Sequence, residues 1–176
     1  MMKMLPPLIV VVLLLGCAGR TVRVEQDTPE NAMRTFLLSI ENKDRSAFRE
    51  CFDYTKEQAR IVDAAFDLFT AAFELRDEMA RISGQKPQSV DSLLSGMPYG
   101  ADTKDLVYKD GKWKAPMKLR AKNPDAAAKV LKEGAGMFRE FARHLRSGME
   151  LEKAASLMQK RMLKFSELAA EAGFEQ

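Results

Sequence analysis

From Thr28 onward, apolar residues recur every three or four positions between short polar breaks, the pattern of successive amphipathic helices. Thr28-Pro29-Glu30 opens the first with a hydroxyl cap, a proline whose missing N–H costs nothing there, and an acid in the first turn. Met33, Phe36, Leu37 and Ile40 then share one face. Asn42-Lys43-Asp44 breaks the run, and Asp44 is placed to cap a short second helix carrying Phe48, Cys51 and Phe52 on one side. The third helix is the longest, with a capping-box pattern at Thr55 and Gln58 and nothing to break it before Gly84. Ile61, Ala65, Leu68, Ala72, Leu75, Met79 and Ile82 form one stripe, and Val62, Phe66, Phe69 and Phe73 a second beside it. Two adjacent stripes predict a helix packed on more than one side. The same spacing also fits a coiled-coil seam between copies of the chain.

Gly84 to Thr103 reads as a Gly-, Pro- and Ser-rich loop with a short helix around Val90 to Leu94. Leu106 to Lys114 carries the one β signal, an Asp110-Gly111 turn between alternating residues. In that register Tyr108 faces Trp113 and Lys109 faces Lys112, with the aromatic side packed on helices. Asn123-Pro124-Asp125 starts a fourth long helix, with Ala127, Leu131, Phe138, Phe141, Ala142 and Leu145 inward, weakened by Gly134 and Gly136 and closed at Gly148. A last helix turns Leu151, Ala155, Met158, Met162, Phe165 and Ala169 inward and ends at Gly173. The predicted fold is mainly α: one domain over residues 28–176, with four longer helices, short ones, and a single β-hairpin.

The first residues follow a different pattern. Lys3 precedes an unbroken apolar stretch, Leu8 to Leu15, too short for the roughly 18–20 residues that cross a bilayer. A signal peptide over residues 1–16 is the expectation. Leu14-Leu15-Gly16-Cys17 resembles the lipobox of bacterial lipoproteins. The resemblance implies cleavage after Gly16, a lipid on the Cys17 sulfur and an acylated new amine. Ala18, where Asp would favour inner-membrane retention, implies the outer membrane facing the periplasm. Residues 17–27 then read as the lipidated Cys17 and a polar tether.

A second resemblance rests on Thr28-Pro29-Glu30-Asn31-Ala32-Met33-Arg34 with the helix-loop-helix through Phe52, and on the hairpin Lys109-Asp110-Gly111-Lys112-Trp113-Lys114. These stretches resemble small bacterial lipoproteins with a nuclear-transport-factor-like domain of unknown function. That resemblance implies a reduced α+β cone, in which a curved sheet of several strands surrounds a pocket. It supplies no catalytic residue, because such proteins share a shape rather than a site.

Composition narrows the chemistry. The chain has 28 Lys and Arg against 25 Asp and Glu, two Cys and one His. Loss of Lys3 with the signal peptide leaves a mature charge of +2. That balance, with the envelope address, argues against a nucleic-acid partner. Two cysteines and one histidine exclude a disulfide scaffold and a zinc site built from several His or Cys. His144 lies among Arg143 and Arg146 on a polar helix face, and Cys51 between Phe48 and Phe52 reads as a buried thiol. Asp63 with Asp67 and Glu74 with Glu78 are i,i+4 acid pairs without the oxygen-rich loop of a calcium site, and read as the wet side of the long helix. No phosphate-binding loop or nucleophile motif is present.

One stretch departs from the overall balance. Lys104, Lys109, Lys112, Lys114, Lys118, Arg120 and Lys122 are met only by Asp105 and Asp110, a local charge of +5. Lys109, Lys112, Lys114, Lys118 and Arg120 are candidates for contact with an anionic surface; the plainer reading is a solvated strand face whose lysines discourage edge pairing. The expectation is a membrane-anchored envelope lipoprotein, a non-enzymatic binding or interaction module without cofactor. Its partners would be the membrane through its lipid and an envelope protein or anionic lipid. A small-molecule-binding cup or enzyme of the nuclear-transport-factor-like class, and a self-associating helical protein of unknown oligomeric state, are the alternatives.

Overall fold

In the computed structural model, residues 21–96, 105–117, 121 and 123–173 are described. The signal peptide, Cys17, Ala18, Lys104, Lys118, Arg120 and Lys122 lie outside them. The described residues form a mainly α fold with a small sheet. Its helices are α1 (Pro29–Glu41), α2 (Arg45–Glu50), α3 (Ala59–Ile82), α4 (Val90–Gly96), α5 (Pro124–Arg146) and α6 (Leu151–Ala172). Its strands are β1 (Phe52–Asp53), β2 (Val107–Lys109) and β3 (Lys112–Pro116). None of the described helices is long and apolar enough to cross a membrane.

The caps act as their residue types dictate. Thr28 accepts from the Asn31 N–H, Asp44 from the Ala47 N–H, and Asn123 from the Asp125 and Ala126 N–H groups. Each satisfies donors that a helix start leaves without a partner. At α3 only half of the expected capping box forms. The Gln58 side-chain Oε1 accepts from the Thr55 N–H, but Gln58 is itself helical in backbone and α3 begins at Ala59. The freed Gln58 amide instead donates to the Met117 carbonyl and pins the end of β3 to the start of α3.

α3 is the axis of the molecule, and its two apolar sides serve two cores. Val62 and Phe66 join Ile40 of α1 and Phe48 of α2, with Phe36, Phe52 and Phe73 against them. Ile61 joins Ala127 and Val130 of α5 and Ala172 of α6, with Phe165, Leu168 and Ala169 against them. The expected stripes are therefore buried on two sides, although Phe69 and Ile82 stay exposed. Gly134 does more than weaken α5. A Cβ there would sit 3.1 Å from Leu68 Cδ1 and 3.4 Å from Phe165 Cε2, so the missing side chain lets α5 approach both neighbours.

The inward face of α6 is shifted from expectation. Ala154, Met158 and Ala172 are buried, whereas Ala155 is exposed and Met162 is 59% exposed. The buried positions fall at Ala154 and Met158, one helical turn apart, which sets the inward face and leaves Ala155 and Met162 beside it.

The hairpin takes the expected register, Tyr108 opposite Trp113 and Lys109 opposite Lys112. Asp110 and Gly111 both have positive φ, 53° and 76°, as a type I′ turn requires. The sheet is larger than a single hairpin, with order β1-β3-β2 and Phe52 paired in parallel with Ala115. The Gln26 carbonyl extends the β1 edge by accepting from the Trp113 N–H. Much of the segment read as a tether is thus held by the domain: the Val22 N–H donates to Asp44 Oδ2, the Glu25 N–H to Thr35 Oγ1, and Gln26 is 3% exposed.

Candidate functional site

Strand alternation gives the sheet two unlike faces. One carries Phe52, Tyr108, Trp113 and Ala115; the other carries Asp53, Val107, Lys109, Lys112 and Lys114. The first turns toward α1 and α3 without filling the space between them. A cleft of about 360 Å³ remains, walled by Ala32, Met33 and Phe36 of α1, Cys51 and Phe52, Ile61, Ala65, Leu68 and Phe69 of α3, Ala115 of β3, Leu106 and Met117 just outside the hairpin strands, and Leu131 of α5.

Two features keep the cleft open. The aromatic rings beside it pack on one another: Phe36 lies 5.4 Å from Phe48 and 5.4 Å from Phe69 between ring centroids, the second pair edge to face. Such a cluster forms a rigid wall instead of projecting rings across the gap. One turn away on the same helices Ala32 precedes Phe36 and Ala65 precedes Phe69, and with Ala115 of β3 these small side chains leave the space beside the rings unfilled. Phe69 is 39% exposed, which places it at the mouth. Tyr108 and Trp113 lie on the same sheet face as Ala115, their rings 5.4 Å apart, and neither lines the cleft. That aromatic pair was expected to be covered by helices, yet Tyr108 is 62% exposed.

The cleft wall is chemically quiet. Its one heteroatom with acid chemistry is the Cys51 thiol, which donates to the Ala47 carbonyl at 3.3 Å. Burial pushes its pKa up to about 12, so the thiolate that would act as nucleophile is scarcely populated at neutral pH. The wall therefore offers apolar surface and shape.

The other candidate residues have structural partners. Asp63 accepts from Arg49, and Arg45 reaches both Asp63 and Asp67. Hydrogen bonding from Arg49 holds the Asp63 carboxyl below its ordinary value. Glu74 meets Lys43 and Arg139. Glu78, nearly buried, accepts from Arg81 and Arg146, whose hydrogen bonds lower its pKa and tie the ends of α3 and α5 together. The acid pairs read as a wet helix side are thus ion-pair clamps to neighbouring helices. Among the described residues, no group of three or more His, Cys, Asp or Glu could hold a metal ion.

His144 is partly buried beside Glu140, with Nε2 3.7 Å from the carboxylate. Glu140 also pairs with Arg161 of α6, which reaches Glu133 as well. On the polar sheet face, Lys109 pairs with Asp53 at 2.7 Å and Lys112 with Glu50 at 3.2 Å. Lys114 makes no ion pair among the described residues. Two of the candidate surface lysines are therefore engaged within the domain, on the face opposite the cleft.

The cleft itself was not legible as a site in the sequence. Its residues come from several elements: Met33, Phe36, Ile61, Ala65, Leu68, Phe69 and Leu131 belong to the apolar stripes expected from the sequence, whereas Ala32, Ala115 and Met117 were assigned to none. No protein-family model, curated protein or solved structure matches this chain.

Proposed function

We propose that this protein is a membrane-anchored envelope lipoprotein whose domain is a non-enzymatic binding module for an apolar ligand. The address rests on Lys3, the Leu8–Leu15 stretch and Leu14-Leu15-Gly16-Cys17, with Cys17 as the lipidated residue and the outer membrane as its destination. The binding role rests on one observation, the open apolar cleft of about 360 Å³. That volume falls within the roughly 300–1,000 Å³ of small-molecule sites. A polar ligand atom placed inside would lose its water partners and gain none, so the site selects against polar ligands. The role is the binding-cup alternative joined to the lipoprotein address, without a reaction.

The test uses the chain from Ala18 onward, which contains both core clusters. N-phenyl-1-naphthylamine, a dye that brightens in apolar surroundings, should bind saturably to the wild type. Ala65→Trp, which projects an indole into the cleft from α3, should abolish the signal while circular dichroism stays helical. Equal dye binding by a folded Ala65→Trp protein would rule out the cleft as the site.

A further inference from the structure

We infer that the cleft takes one acyl chain of an amphiphile, with the polar head left outside, beside Phe69 and toward the exposed Tyr108. This inference rests on the reading of the cleft as a ligand site and adds the class of ligand. Three observations carry it: the size of the cleft, the contrast between its wall and its mouth, and the length of chain between Cys17 and the domain.

Size sets the first limit. An apolar cavity of roughly 150 Å³ accommodates one benzene, about 25 Å³ per heavy atom. At that density the 360 Å³ cleft holds about 14 heavy atoms. That is the bulk of one acyl chain of ordinary length, and too little for the two chains of a diacyl lipid together.

The wall and mouth set the second. The lining is apolar throughout its depth, from Ala32 and Ile61 to Leu131. A ligand with a polar group must therefore keep that group at the opening. There the exposed groups change character. Phe69 presents a bare ring, while Tyr108, exposed on the sheet face that carries Ala115, presents a ring with a polar O–H and packs on the half-buried Trp113. Tyr and Trp combine an apolar body with a polar edge, the combination suited to a boundary between hydrocarbon and water. An amphiphile has the same two-part character, which a wholly apolar hydrocarbon lacks.

Reach supplies the third. With Cys17 lipidated, residues 17–21 span at most about 18 Å before the Val22 N–H is held by Asp44. The segment Thr21 to Glu25 lies against Asn31, Arg34, Thr35 and Leu38 of α1, while Ala32, Met33 and Phe36 of the same helix line the cleft. One helix, roughly 10–12 Å across, separates the anchor's attachment from the cleft. The site is thus kept within roughly 30 Å of the bilayer surface. Acyl chains are abundant there, in membrane lipids and in fatty acids released from them.

The experiment uses the full chain, matured in membranes and reconstituted in phosphatidylethanolamine vesicles. One arm carries a diazirine at the end of a phospholipid acyl chain, the other a diazirine fatty acid added to unlabelled vesicles. After illumination, labels should map to peptides holding Leu68 and Phe69 or Leu106. Ala65→Trp should lower their yield by about tenfold or more. Cleft labelling by the phospholipid assigns the chain to a bilayer lipid; labelling by the fatty acid alone assigns it to a released acyl chain. Labels confined to the exposed Leu151, Leu157 and Met162 side of α6, or absent, would overturn the inference, and this reading of the wild type holds even if Ala65→Trp does not fold. Dye binding separates the two levels: dye bound in the cleft without acyl labelling rejects only the acyl chain, and loss of both rejects the binding role as well.

Discussion

The two sides of α3 are built from similar residues and end in opposite states. Toward α5 and α6 the packing is close, although Ile61, Leu68 and Leu131 also border the cleft: Gly134 brings α5 against Leu68 and Phe165, Ala127 and Ala172 are fully covered, and Glu78 clamps the helix ends through Arg81 and Arg146. Toward α1 and the sheet, the phenylalanines pack on each other, and the alanines one turn away on the same helices leave a gap beside them. Apolar content alone does not decide whether a region closes. The distribution of large and small side chains across facing positions does. The closed side gives the domain its rigidity, and the open side offers a surface that something else can cover.

Substitutions test this comparison, and the largest effect belongs to the ring that supports the open side. Phe48 is wholly buried beneath the cleft wall, in contact with Phe36, Phe52 and Phe66. Phe48→Ala should cost about 4 kcal/mol in urea unfolding. Gly134→Val comes next, since its new carbons would meet Leu68 and Phe165 at short distance. It should cost about 2 kcal/mol. Ala65→Leu is the counterpart across the helix and should have the opposite sign, a gain of about 0.5–1 kcal/mol from filling empty space. Matching losses at Gly134 and Ala65 would erase the distinction between the two sides.

Glu78→Gln should cost about 1 kcal/mol at neutral pH, because both arginine partners are largely exposed and solvent weakens the pairing. Its pH dependence has a definite sign. Glu78 and Asp63 are held below their ordinary values of 4.5 and 3.8, so the unfolded chain takes up protons first as pH falls. Their stabilisation is complete above those values and lost as pH drops through the lowered folded ones. The gap between wild type and Glu78→Gln in urea midpoint should therefore narrow as pH falls from about 7 to about 3. A gap unchanged by acid would remove the clamp from the account.

The smallest structural effect is expected on the polar sheet face. Changing Lys109, Lys112 and Lys114 together to Glu should leave the helical spectrum unchanged, since these side chains point away from both cores. Vesicle binding by the chain from Ala18 onward should respond only as far as charge governs it. A fall in binding to anionic vesicles in the variant, matched by a loss of wild-type binding as salt rises, would assign these lysines a surface role.

The helices were legible because their apolar residues repeat at the helical period and their caps are written in local chemistry: Thr28, Asp44, Asn123, Gly148 and Gly173. The hairpin was legible from Asp110-Gly111 for the same reason. Strand β1 was not, because two residues carry no period and its pairing with β3 depends on a contact about sixty positions away. On α6 the sequence favoured Ala155 and Met162 beside Met158, whereas the inward face is set by Ala154 and Met158. The cleft was hidden for a deeper reason. A stripe shows which residues leave water, but an unfilled volume is a property of the sum of side chains from several elements.

The most direct test of the central claim is a methyl NMR titration of the chain from Ala18 onward with a short-chain alkyl amphiphile below its micelle concentration. The account predicts saturable shifts at the methyls of Met33, Leu68, Leu106, Met117 and Leu131, which line the cleft, with Leu145 and Met158 unmoved. Shifts confined to Leu157 and Met162 on α6, or no saturable shift at the cleft methyls, would contradict it.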